Sequence, residues 1–235
     1  MAIMSGFTWA LTLFLLLHVG LSATGARALV VGRIGEGPYR GLFSLASAAL
    51  LIWLGFAFVE IHRAPDHPLM TPLYAPPEWG RYAAQGLTLL AFLIGATGLL
   101  TLNPTTAGLE GALKREEPAK GMVRITRHPF LWAVAIWAAG HLLANGERFA
   151  VMMFGVFGLM ALLGTRSIDR KSAARDPEHW AKFAAVTSNV PFAAIVQGRN
   201  RIVWSELGWR PLVALAAYAA IAYGHAWLVG VPAIP

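Results

Sequence analysis

Several histidines lie in apolar stretches of the sequence, where an ionisable side chain needs a chemical reason to be present. His18 lies within the apolar run of residues 3–24, and His141 lies within that of residues 129–145. A third histidine, His128, immediately precedes the second run. Because imidazole readily binds metal ions and haem iron, an imidazole inside a membrane span is a candidate functional site.

The composition places these histidines in an integral membrane protein. The 235 residues are 57% hydrophobic and 13% charged, with a mean hydropathy of +0.56. This balance excludes a soluble domain with an ordinary polar surface. The absence of cysteine excludes thiolate metal ligands and covalent haem attachment through a CxxCH motif. The net charge of +7 does not indicate nucleic-acid binding, because no soluble basic domain is present to carry that function.

The apolar runs predict an all-α fold, a polytopic membrane helix bundle with about six transmembrane helices and an interfacial amphipathic helix. The first run is predicted to be a retained span and not a signal peptide, because no Lys or Arg precedes it. Asp176, followed by a proline and an acidic residue, predicts the start of the interfacial helix. The charged stretch 103–127 predicts a further solvated helix. The predicted spans are residues 3–24, 42–61, 83–102, 129–145, 149–164 and 211–231.

The distribution of Lys and Arg predicts the orientation of these spans. The loops after the first, third and fifth spans carry sixteen of these residues, whereas the loops after the second and fourth carry three. Loops rich in basic residues face the cytoplasm. We therefore expect a multi-pass protein of a bacterial-type inner membrane, with both termini outside and Arg127 and His128 at the cytoplasmic end of the fourth span.

The opposite directions of the first and fourth spans bring two histidines to similar depths. At 1.5 Å per residue, His18 lies about 12 Å and His141 about 18 Å from the cytoplasmic ends of their helices. Trp137 adds a flat face one turn away from His141, and the small residues 138–140 predict free space beside it. The two imidazoles are therefore candidate axial ligands of a haem in a bundle core. A structural histidine that only bonds to a backbone carbonyl remains the alternative, and depth alone does not exclude His225 as a ligand.

Several motifs resemble the NnrU family, which includes bacterial proteins named for denitrification and is similar to the plant zeta-carotene isomerases. The resemblance covers residues 5–195. It predicts an NnrU-like transmembrane domain at 1–198, followed by a linker and an additional C-terminal transmembrane helix at 199–235. The motifs are Arg127-His128-Pro129, Trp137, the HLLANG run at 141–146, His18, and the EGPYRGLF run at 36–43.

The resemblance implies a membrane-bound haem b with His18 and His141 as the axial metal ligands. We expect Trp137, Arg127 and His128 to be further cofactor-binding residues: Trp137 through its flat face, and Arg127 and His128 at the helix mouth through a haem propionate. His128 belongs to the family pattern but need not touch the iron. The implied activity is a redox-gated cis–trans isomerisation of an apolar, carotenoid-like polyene, with His18, His141 and His128 as catalytic residues. The expected surroundings are the lipid bilayer and this polyene.

Two other functions remain open at the level of the sequence. One is a non-enzymatic membrane accessory factor for denitrification, which assists expression or assembly of nitrite or nitric oxide reductase. Such a factor would bind a small nitrogen oxide or a membrane-protein partner instead of a polyene. The other is an S-adenosylmethionine-dependent methyltransferase, because Arg127-His128-Pro129 also resembles the isoprenylcysteine carboxyl methyltransferase group. Trp132, however, stands where that group has an aromatic-x-Gly ending.

The predicted orientation can be tested with reporter fusions at Gly111 and Ala75. These positions lie in loops on either side of the third span, so we expect the Gly111 fusion to report the cytoplasm and the Ala75 fusion to report the outside. Paired fluorescent and phosphatase reporters give opposite signals on the two sides. A cytoplasmic signal from both fusions would show that the number of spans is wrong.

Overall fold

The computed structural model describes residues 5–21 and 25–233, and it is 73% helical. No strand forms within these residues, so the prediction of an all-α fold is confirmed. Residues 22–24, the expected end of the first span, lie outside the described part of the chain. The α-helices are α1 (Gly6–Leu15), α2 (Ala26–Ile34), α3 (Glu36–His62), α4 (Gly80–Leu99), α5 (Pro129–Ala144), α6 (Arg148–Arg175), α7 (Pro177–Val186), α8 (Ala193–Val196), α9 (Trp204–Leu207) and α10 (Arg210–Val229).

Most of the predicted spans correspond to long apolar helices. Within the described residues, α3, α4, α6 and α10 are long and apolar enough to cross a membrane, and a fifth span results if α1 and α2 are counted as one broken helix. The remaining predicted span is α5, which is apolar but has only 16 residues. At 1.5 Å per residue it measures about 24 Å, against about 30 Å for the hydrocarbon core. The span count therefore depends on this short helix.

Several parts of the sequence-based prediction differ from the structure. The second span was predicted to begin at residue 42, but α3 begins at Glu36. The predicted fifth span ended at residue 164, but α6 continues to Arg175, because the basic stretch after Thr165 contains no helix-breaking residue. The prediction of a helix within residues 103–127 was wrong. That stretch contains two short 3₁₀ turns, Glu110–Lys114 and Gly121–Arg124. A continuous helix is prevented by Gly108 and Gly121, whose φ angles are +88° and +57°, and by two prolines.

The contacts divide the chain into two compact units. The first comprises Met1–Ala75, Gly146–Met153 and Ala226–Val231. Its core is built around Phe149, which is 2% exposed and whose ring lies 6.1 Å from that of Phe7. The second unit comprises Pro76–Asn145, Phe154–His225 and Pro232–Pro235.

Helices α4 and α5 pack closely in the second unit because small residues line their contact. A Cβ atom added at Gly95 would lie 2.7 Å from the Cβ of Ala133, which is closer than two such atoms can approach. Gly98 lies against the ring of Pro129, and Gly80 against the backbone carbonyl of Leu143. Contacts of this kind are common between membrane helices, where van der Waals packing of small residues drives association. They fix α5 along its length.

Helix α7 begins as its sequence predicts, but its apolar side contacts protein. The Asp176 side chain accepts a hydrogen bond from the His179 backbone N–H, and Pro177 occupies the first helical position. Trp180 and Phe183 are buried against residues of the 103–127 stretch, including Val123. The amphipathic pattern of α7 therefore reflects packing within the second unit.

An ion pair attaches the segment before α10 to the second 3₁₀ turn. Arg124 donates two hydrogen bonds of 2.7 Å to the Glu206 carboxylate, which also accepts a 2.6 Å bond from the Gly121 backbone N–H. The hydrogen bonds from Arg124 hold the pKa of the Glu206 carboxyl below its usual value. This carboxylate therefore stays ionised, and the pair stays intact, down to a lower pH than an isolated glutamate would allow.

The close approach of α4 and α5 predicts the effect of one added methyl group. Gly95→Ala should destabilise the protein by about 1–3 kcal/mol, as overpacked cores do. Gly86→Ala is the matched control, because Gly86 lies on the same helix with no atom within 4 Å of an added Cβ. We expect the control to be neutral or slightly stabilising, because alanine favours helix over glycine. Thermal unfolding in detergent measures both variants, and equal melting temperatures would contradict the close packing.

Candidate functional site

His141 lies on α5 with one ring nitrogen bonded to its own helix. Its Nδ1 lies 2.9 Å from the backbone carbonyl oxygen of Trp137. Because a carbonyl oxygen can only accept, Nδ1 carries the proton and Nε2 has the lone pair. The centre of the imidazole ring lies 4.7 Å from that of Trp137 and 4.5 Å from that of Phe154, and these two rings also contact each other at 5.0 Å. The ring is therefore held in one tautomer and one orientation.

His18 has the same arrangement in the first unit. Its Nδ1 lies 2.9 Å from the carbonyl oxygen of Phe14, four residues earlier. The centre of its ring lies 4.1 Å from that of Phe14 and 5.0 Å from that of Phe43. His18 also falls in a π-helical turn, Leu16–Leu21, that follows α1 directly. Such turns are rare and occur frequently at functional sites.

The two imidazoles share the geometry that metal-ligating histidines adopt. A ligating histidine donates its second ring N–H to a carbonyl or carboxylate, which fixes the ring and increases the basicity of the ligating nitrogen. His18 and His141 both do this, and within the described residues neither Nε2 has a hydrogen-bond partner. In the same part of the chain, no group of three or more His, Asp or Glu side chains could hold a metal ion. A haem needs only one or two protein ligands, because the porphyrin supplies the other four.

The 36–43 segment forms the first turns of α3 and carries Phe43, the ring beside His18. Glu36 accepts hydrogen bonds of 2.6 and 2.8 Å from Arg27 and one of 2.8 Å from Arg40. The Arg27 guanidinium also lies 5.3 Å from the centre of the Tyr39 ring. These contacts therefore link the start of α3 to α2, and they support the aromatic contact between Phe43 and His18.

Arg127 and His128 meet a partner that the sequence did not reveal. Asp169, on α6, lies 2.6 Å from His128 Nε2 through one oxygen and 2.8 Å from an Arg127 terminal nitrogen through the other. The His128 side chain is 1% exposed and that of Arg127 is 11% exposed. His128 is the N-cap residue of α5, as the sequence predicted. The Asp169 carboxylate therefore links the start of α5 to the C-terminal part of α6.

Asn189 extends this network. Its side-chain amide donates to Asp169 at 3.3 Å and accepts from the Trp132 indole N–H at 3.2 Å, while its backbone carbonyl accepts from Thr126 at 2.6 Å. Neither Asp169 nor Asn189 was a candidate in the sequence. The only local signal for Asp169 is its isolation as an acid in a basic stretch, flanked by Arg166 and Arg170.

The small residues beside His141 have a different role from the predicted one. Ala138 packs against Gly158 of α6, and Gly140 packs against α4, so both are occupied by helix contacts. Within the same unit, His225 is close enough to His141 for their imidazoles to interact electrostatically. His225 therefore remains an alternative ligand that an experiment must test.

The Asp169 network predicts a large effect from one substitution. Asp169→Ala removes the ion-pair partner of Arg127, which keeps only the Thr187 oxygens, and the side-chain partner of His128. Removing one partner of a buried pair costs about 3–5 kcal/mol. We expect a loss near the lower limit, because Asp169 is 20% exposed. Glu178→Ala is the control, because Glu178 pairs with Lys182 on the surface and its side chain is 74% exposed. Thermal unfolding should show a marked loss of stability for the first variant and little change for the second.

Known proteins with a related sequence indicate the family of this chain. The chain is 28% identical over 221 residues to the chloroplastic 15-cis-zeta-carotene isomerase of Arabidopsis thaliana, covering 90% of this chain and 56% of the relative. It is 27% identical over 197 residues to the Zea mays enzyme of the same name, covering 81% and 50%. It thus spans about half the length of these relatives.

No solved structure gives a significant match. The family profile described as NnrU protein matches residues 6–233, which extends beyond the 5–195 of the motif resemblance and includes α10. Because this match covers nearly the whole sequence, the chain belongs to the NnrU family.

Proposed function

We propose that this protein is a haem-dependent cis–trans isomerase of a conjugated polyene in the membrane. The observation that carries the proposal is the identical presentation of His18 and His141, each with Nδ1 bonded to the preceding turn and Nε2 available. The similarity to two 15-cis-zeta-carotene isomerases supports a polyene as the substrate class.

The residues present suit a haem b. His18 and His141 would supply the two axial nitrogens, and the Trp137 ring would offer a flat apolar surface next to the second of them. When bound, the haem would supply a redox-switchable iron that lowers the barrier to rotation about a double bond. Arg127 and His128 are occupied by Asp169, which favours a positioning role at the start of α5 over direct contact with haem.

A membrane location suits such a substrate. The apolar helices indicate a bilayer environment, in which a polyene dissolves and from which it can reach a site between helices. We propose a bacterial-type inner membrane with both termini outside, because sixteen of the nineteen Lys and Arg residues lie in the loops that this orientation places in the cytoplasm.

Absorption spectra of detergent-purified protein test the haem. Bis-histidine ligation predicts a low-spin iron, with a Soret band and sharp α and β bands on reduction. His18→Ala and His141→Ala should each open a coordination position, so the spectrum should become high-spin or the haem should be lost. His225→Ala is the matched control and should change neither. The ligand assignment is overturned if wild-type protein from haem-replete cells has no Soret band, or if His225→Ala alone gives the high-spin form.

The isomerase activity requires a separate assay. Cells that accumulate a 15-cis polyene should convert it to the trans isomer when they express the wild-type protein, as measured by chromatography of the extracted pigments. His141→Ala should abolish this conversion, whereas His128→Ala should reduce it and leave most of the haem bound. A protein that binds haem but leaves the isomer ratio unchanged would contradict the proposed activity while preserving the ligand assignment.

A further inference from the structure

The segment between α7 and α10 exposes large apolar side chains beside a membrane helix. Val196 is 84% exposed, Trp204 is 73% exposed and Trp209 is 58% exposed. Helix α10 starts at Arg210, directly after this segment, and is long and apolar enough to span the bilayer. The segment therefore lies at the boundary between hydrocarbon and water, where tryptophan rings are enriched in membrane proteins.

Three arginines lie among these apolar side chains, and none of them is neutralised by a carboxylate. Arg199, Arg201 and Arg210 form no ion pair within the described part of the chain. The only acidic residue between positions 190 and 210 is Glu206, and the Arg124 guanidinium already binds both of its oxygens. The segment therefore presents an uncompensated positive charge.

Two of these guanidiniums are held in place by backbone carbonyls. Arg199 donates to the carbonyl oxygens of Ala185, at 2.6 Å, and Thr187, at 2.9 Å, beside the end of α7. Arg210 donates to the Leu100 carbonyl oxygen at 2.8 Å. Carbonyl dipoles fix these groups without cancelling their charge. The Arg201 side chain makes no such bond and is exposed, so it can contact a ligand directly.

An unfavourable backbone conformation also orients one apolar ring outward. Phe192 has a φ of +65°, a region that non-glycine residues rarely occupy, and it is 43% exposed. A 2.8 Å hydrogen bond from its backbone N–H to the Ile125 carbonyl oxygen holds it there. The fold thus maintains an exposed aromatic ring in the same segment as the arginines.

We propose that residues 190–210 form a binding site for the phosphate headgroups of anionic phospholipids in the leaflet that this segment faces. The guanidiniums attract the negative headgroups, and the tryptophan rings enter the interface beneath them. This site is separate from the histidines, and it does not depend on the isomerase activity.

Native mass spectrometry of the full-length protein from mixed micelles tests the lipid site. With equal amounts of phosphatidylglycerol and phosphatidylcholine, the wild-type protein should retain the anionic lipid preferentially. Arg201→Gln should lower this preference about fivefold, the effect of one cation near an anionic surface. Lys182→Gln is the control, because Lys182 is also exposed but is paired with Glu178, and the preference should not change.

Two further measurements test whether the segment binds a lipid headgroup or free phosphate, and whether the Trp204 ring contributes to lipid binding. Inorganic phosphate added at millimolar concentration should not displace the anionic lipid, and complete displacement would show that the segment binds a free anion. Trp204→Ala should weaken retention of both lipids.

The proposal is overturned if the wild-type protein shows no preference for the anionic lipid, or if Lys182→Gln lowers this preference as much as Arg201→Gln does. Because the Arg201 side chain makes no hydrogen bond in the described residues, its variant should unfold at the wild-type temperature.

Discussion

The carboxylate of Asp169 binds two polar side chains, Arg127 and His128, that the second unit holds away from water. Arg127 and His128 are almost completely buried, and a buried cation or imidazole without a partner is strongly unfavourable. By binding both, Asp169 links the start of α5 to α6. The direction of α5 follows from this anchor and from the glycines of α4, and it determines where His141 lies.

The histidines in the apolar helices also need hydrogen-bond partners. In an apolar environment each polar ring atom needs a partner, and His18 and His141 both obtain one from the carbonyl of the preceding turn. A purely structural histidine would be best satisfied if both of its nitrogens were bonded. Among the described residues the second nitrogen of each ring has no such partner, and this arrangement is compatible with the ligand role that we propose.

The sequence could predict the features that depend only on neighbouring residues, such as the starts of helices. The proline at position 129 and the Asp176 cap define helix starts, because those effects depend only on neighbouring residues. The role of Asp169 depends instead on residues about 40 and 20 positions away, which its own sequence neighbours do not reveal. The helix predicted within 103–127 failed because mixed charge was weighed above the glycines that interrupt the stretch. The pairing of His18 with His141 remains a prediction.

The π-helical turn at Leu16–Leu21 makes the direction of the His18 side chain depend on the number of residues in that turn. Upstream, Phe7, Leu11 and Phe14 form the buried side of α1 with ordinary helical spacing. Each residue of an α-helix advances the chain by about 100° around the axis. One residue fewer in the turn would therefore rotate everything after it by about a quarter of a turn relative to that buried side. Insertions and deletions in this turn should thus be tolerated far less than substitutions, because they change the helical phase and not only a contact.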